Sequence, residues 1–138
     1  MIVDTSAIVA ILLGEPDAAS LITLIYQDPE PKMSAASLVE LHIVAARPDR
    51  YLAHRSVDEL ISKLRIIIAP VTEAQSRVAI TCHDRFGRWS GNRAKLNFGD
   101  CFSYALSVAT GEPLLFVGED FTHTDISAVR IPGDGTAT

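Results

Sequence analysis

Two kinds of segment alternate along the chain. Short blocks of strand type lie at residues 1–3, 32–34, 66–69 and 114–117, with a further short block at 129–131. Between them run segments that read as helices: 6–13, closed by Gly14; 17–27, ending before the turn signal DPEP; about 35–46, stopped by Arg47-Pro48; and roughly 55–64. Thr72-x-x-Gln75 forms a capping box that predicts a helix from Glu73 to about Phe86. Phe98 to Thr110 is helical, with Gly111 placed just past its C-cap. GRWSGNRAKLN, between the last two helices, is a loop, and the tail 132–138 is expected to fray. Short strands alternating with helices predict an α/β fold, a mainly parallel central sheet flanked by helices as an α/β/α sandwich.

The 138 residues fit one domain with a real core, so 1–138 is expected to be a single unit. Cys82 and Cys101 lie in apolar contexts without C-x-x-C spacing, as small buried hydrophobes do in a reducing compartment. No basic segment precedes the first apolar run, and the apolar runs fall far short of the ~20 residues of a membrane helix. The expectation is therefore a soluble, cytoplasmic protein without a membrane partner. A net charge of −5 weighs against a nucleic-acid partner, unless several of the acids share a metal ion.

The coarse topology brings four acids to one edge. Ligands of open α/β sheets bind at the C-terminal ends of the strands. Asp4 ends the first strand, and Glu119 and Asp120 follow LLFV. The last helix leads back into that strand, so its N-terminus with Asp100 falls at the same edge. Glu40 sits in the second turn of the helix after KMS. Each acid has an ordinary alternative: Asp4 as a helix N-cap, Asp100 as a favourable charge in a first turn, Glu40 paired with a core arginine, and Asp120 as a loop acid. Residues 35–46 are apolar nearly all round, so that helix is expected to be buried. Asp100 also begins a polar stripe with Ser103, Ser107 and Thr110 that fits a water-facing side. Like charges held together repel, so a shared cation or shared protons must make such a cluster tolerable. An all-oxygen donor set with no His or Cys at metal spacing points to Mg²⁺ or Mn²⁺ and to phosphodiester hydrolysis.

MIVDTSAI, SAASLVELHIV, LNFGDCFSYALS and GEPLLFVGEDF together resemble the PIN-domain ribonucleases, and most closely the VapC toxins of toxin–antitoxin pairs. The likeness runs from Ile2 to about Ile126, in order and at typical separations. It implies a PIN domain and a Mg²⁺- or Mn²⁺-dependent RNA endonuclease that leaves a 5′-phosphate and is inhibited by a cognate VapB-like antitoxin. The family's four acids fall on Asp4, Glu40, Asp100 and Asp120, with Glu119 able to share or take the fourth place. Ser6 matches the small polar residue that orients a ligand or water. Val117 stands where close relatives often carry lysine, and His42 replaces a commonly small residue.

Between His83 and Asn97, Arg85, Arg88, Arg93 and Lys95 surround Trp89 against a single acid, Asp84. These cations suit RNA phosphates, and Trp89 suits an unpaired base. An acidic antitoxin tail and a plain solvated loop are the alternatives. His42, His83 and His123 read as packed or surface residues without a role. The resemblance also implies a homodimer, for which the apolar helices AIVAILL and SLITLIY are candidates, with core packing the equal alternative. A phosphatase with an aspartyl nucleophile would want a second acid two residues after Asp4, where Ser6 stands. A non-catalytic RNA- or protein-binding PIN domain would have lost one of the four acids, and none is lost.

Overall fold

The computed structural model describes residues 1–50 and 52–133. Most of the tail expected to fray, 134–138, lies outside the described residues. In chain order the elements are β1 (Ile2–Val3), α1 (Thr5–Leu12), α2 (Ala18–Gln27), β2 (Lys32–Ser34), α3 (Ala35–Ala45) and α4 (His54–Lys63). β3 (Ile67–Ala69), α5 (Glu73–Phe86), α6 (Phe98–Thr110) and β4 (Leu114–Leu115) follow. The expected helix limits hold to within a residue or so because their stop signals act as local chemistry predicts. Thr72 accepts the Gln75 N–H at 3.1 Å to open α5, and Gly111 takes the left-handed conformation, φ 69°, that ends α6.

All four strands are parallel, in the order β3-β2-β1-β4, with Ile2 opposite both Lys32 and Leu114. From β1 through β2 to β3 the chain steps one way across the sheet; to reach β4 it returns past β1. Right-handed crossovers therefore put α1–α4 on one face and α5–α6 on the other. The two-residue period of a strand serves both faces. Val3, Met33 and Leu115 join Ile8, Leu21 and Leu41 in one core, while Ile2 and Leu114 join Cys82, Leu96 and Leu106 in the other. The strand order reverses between β1 and β4, and that switch point is where a doubly wound sheet leaves a crevice for ligand.

Several expectations fail in instructive ways. β4 stops at Leu115 because β1 has already turned into α1 at Asp4, leaving Phe116 and Val117 no strand to pair with. The short strand expected at 129–131 is reduced to one bridge, with the Leu114 N–H donating to Ser127 O and the Val129 N–H to Leu114 O. α3 is not buried all round: Ser37, Leu41 and Ala45 face inward, while Val39 and Ile43 are exposed. Of the polar stripe on α6 only Thr110 faces water. Ser103 and Ser107 are buried, Ser107 donating to Glu112 O at 2.5 Å. Both cysteines are free and buried, and among the described residues no helix is long and apolar enough to cross a membrane.

Candidate active site at the switch point

Asp4 turns out to be both a helix cap and an aimed carboxylate. Its extended backbone, φ −80° and ψ 156°, ends β1 and starts α1. Its Oδ2 accepts the Ser6 N–H at 3.0 Å and the Ser6 hydroxyl at 2.7 Å. Its Oδ1 accepts the Ser103 hydroxyl from α6 at 2.5 Å. Ser6 Oγ in turn accepts the Val117 N–H at 3.0 Å, which ties the chain leaving β4 to Asp4. Ser37 of α3 reaches Ser103 at 3.1 Å, and Thr5 donates to Ser37 O at 3.1 Å. A buried hydroxyl chain thus fixes Asp4 from three helices.

Asp100 is held by a reciprocal cap at the start of α6: its Oδ2 accepts the Asn97 N–H and Asn97 Oδ1 accepts the Asp100 N–H, both at 2.9 Å. Glu40 reaches across from α3 to the first turn of α6. There the Glu40 carboxylate occupies the place a Cβ on Gly99 would take, so any larger residue would push that carboxylate aside. Asp120 is exposed, after the turn at Gly118. Asp4, Glu40, Asp100 and Asp120, with Ser6 and Asn97, line one cavity of about 200 Å³. Glu119 instead lines the neighbouring larger cleft with Val117 and Arg130.

Among the described residues none of the four acids is ion-paired to a lysine, arginine or histidine, so the core arginine considered for Glu40 is absent. The electrostatic consequence is strain. Burial pushes the Asp100 carboxyl up to about 7, with the charges of Asp4, Asp120 and Glu40 adding to the rise. Burial likewise raises Glu40, with Asp4 adding.

The donors are all oxygens, the set that suits a hard divalent cation. Among the described residues no three His, Cys, Asp or Glu side chains form a ready-made cage.

The other candidates lie elsewhere. Arg85 pairs with Asp125 at 3.3 Å and stacks over Phe86. Arg88, Arg93 and Lys95 are exposed and, among the described residues, form no ion pair, and Trp89 is 89% exposed beside them. His42 sits between His54, 2.6 Å away, and Asp58 at 2.9 Å; His83 packs against Trp89, and His123 is exposed. The first two helices serve mainly the core through Ile8, Leu21 and Ile25, leaving Leu13 and Tyr26 exposed. The sequence reading missed Ser103, Ser37 and Gly99. Asp100-x-x-Ser103 was a usable signal, since positions three apart share a helix face.

A PIN-domain model matches residues 1–127, and the chain belongs to that family. Within it the likeness narrows to the VapC ribonucleases: ribonuclease VapC42 of Mycobacterium tuberculosis is 50% identical over 126 residues, 91% of this chain and 96% of the relative. Two solved structures share the fold. The Mycobacterium tuberculosis sarcin–ricin-loop-cleaving toxin VapC20 superposes with a TM-score of 0.70 at 20% identity, covering 94% of this chain and 98% of its own. A Klebsiella pneumoniae toxin–antitoxin complex gives 0.67 at 14%, covering 93% and 95%.

Proposed function

We propose that this protein is the toxin of a toxin–antitoxin pair, an endoribonuclease that hydrolyses RNA phosphodiester bonds with the help of Mg²⁺ or Mn²⁺. The observation that carries this is the set of four carboxylates sharing one cavity at the switch point of the sheet without a basic partner among the described residues. Kinship with VapC ribonucleases at 50% identity supports the same activity. The likeness to a toxin–antitoxin complex supports an antitoxin partner.

Asp4 and Asp100 are the first-choice metal ligands, with Glu40 and Asp120 completing the site by holding a second ion or a water. The ion, when bound, supplies Lewis acidity that makes water a nucleophile near neutral pH and offsets charge building on the phosphate oxygens. Ser6 and Ser103 occupy both oxygens of Asp4 and so hold its carboxylate in one orientation. The Asn97 cap does the same for Asp100, leaving Oδ1 free of the cap. Arg88, Arg93 and Lys95 hold the RNA backbone. Water rather than a ribose hydroxyl attacks and the 3′ oxygen leaves as a hydroxyl, so the products carry a 5′-phosphate. A homodimer in the cytoplasm is part of the same proposal.

The test uses protein freed of co-purifying partner, incubated with labelled RNAs in Mg²⁺, Mn²⁺ or EDTA. Cleavage that needs the metal and leaves 5′-phosphates is expected. Cleavage that persists in EDTA, or that leaves cyclic phosphates, contradicts the proposal.

A further inference from the structure

We propose that unpaired bases of the RNA substrate seat on an aromatic track running from Trp89 to Phe98, in the groove between α5 and α6 beside the acid cavity; this rests on the ribonuclease reading above. Phe98 is 78% exposed and Ile80 56%, and what sets them apart from the other exposed apolar side chains is that they share one groove with further aromatics. They are not scattered. The Trp89 ring meets His83 edge-on at 5.4 Å. His83, Ile80, Phe98, Cys101 and Phe102 line one mainly apolar cavity of about 330 Å³. Phe98 and Phe102 meet edge to face at 4.9 Å.

The first turns of α6 separate this groove from the acids. Phe98, Cys101 and Phe102 share one side of the helix, while Asp100 and Ser103 serve the other. A helix with its side chains is about 10–12 Å across. A strand crossing the start of α6 with a phosphate at the acids therefore sets a base one or two nucleotides away over Phe98.

Charge selects the occupant. The loop joining α5 to α6 carries Arg88, Arg93 and Lys95, none ion-paired among the described residues, and Trp89 rises from their midst. Aromatic platforms beside a cationic loop suit single-stranded nucleic acid, whose bases stack irrespective of sequence, and Asp84 is the one acid that lines the groove.

Trp89 is the sole tryptophan, so its fluorescence reports the track directly. Unstructured RNA oligonucleotides are titrated into the protein in Ca²⁺, which offsets the charge of the acids, and an abasic ribose-phosphate oligomer of equal length serves as control. The expected result is saturable quenching by RNA, affinity for the abasic oligomer lower by about tenfold or more, and a similar loss in Phe98→Ala that Phe98→Tyr largely restores. Phe98 is mostly exposed, so its truncation leaves the core intact. Equal binding of RNA and abasic oligomer overturns the track. So does a Phe98→Ala protein that keeps its RNA affinity, and a change from dimer to monomer in sedimentation alongside would then assign the patch to a second copy. The same oligonucleotides in Mg²⁺ separate the two proposals. Base-dependent quenching without cleavage keeps the track and rejects the nuclease, whereas cleavage indifferent to Phe98 and to bases keeps the nuclease and rejects the track.

Discussion

Replacing Asp100 by asparagine should stabilise the metal-free protein at pH 8 while ending its activity. Asp100 is buried, has no cationic partner among the described residues, and lies among three other acids, which together push its carboxyl up to about 7 from an ordinary 3.8. Between those values the folded protein holds a proton that the unfolded chain has released. Stability from this group is therefore greatest near pH 4, falls as pH rises toward 7, and is flat above. The gap corresponds to about 4 kcal/mol as a ceiling; water entry and relaxation in the open cavity reduce it to roughly 1–2 kcal/mol. Asparagine keeps an oxygen to accept the Asn97 N–H, so the helix cap survives the change. Urea unfolding in EDTA at pH 5 and pH 8 measures both effects. Wild type should lose stability between the two pH values, Asp100→Asn should lose much less, and the variant should be the more stable at pH 8. Mg²⁺ should stabilise wild type by mass action and barely affect the variant. An Asp100→Asn protein that is less stable than wild type at pH 8 in EDTA would refute the reasoning, since the carboxylate would then be a structural cap rather than a strained ligand.

The remaining predictions concern the parts that aim the acids and hold RNA. Gly99→Ala should lower cleavage at least about tenfold with little loss of melting temperature, because the new methyl displaces only the flexible end of the Glu40 side chain; an unchanged rate would mean Glu40 has no part in catalysis. Ser103→Ala removes the donor to Asp4 and the partner of Ser37, and should cost about 1–3 kcal/mol by urea unfolding and roughly 10- to 100-fold in metal affinity by titration calorimetry. Replacing Arg88, Arg93 and Lys95 singly by alanine should raise KM and flatten the salt dependence of RNA binding by about 0.7 for each phosphate that is no longer neutralised; an unchanged slope would remove that residue from the interface.

Much of this was legible in the sequence because its signals were local. Thr72, Gly14 and Gly111 mark helix ends by chemistry that acts within one turn, and the alternation of strands with helices dictated a parallel sheet with acids at one edge. What stayed hidden depended on distant partners. The serine stripe of α6 looks the same whether it faces water or the carboxylate of Asp4, 99 positions away in the chain. Gly99 looks like a poor helix former until Glu40 is placed against it. The apolar surface of α3 suggested burial, yet Val39 and Ile43 remain exposed on the described chain. Glu119 and Asp120 were indistinguishable by position, and only the turn at Gly118 and the division of the two cavities part them.

The most direct test of the central claim is the cleavage rate of one labelled RNA in Mg²⁺ by wild type, Asp4→Asn and Asp100→Asn, each shown to be folded by its melting transition. Loss of cleavage in both folded variants is the predicted result. A folded variant that cuts at the wild-type rate would contradict the account, because the carboxylates at the switch point could not then be the catalytic site.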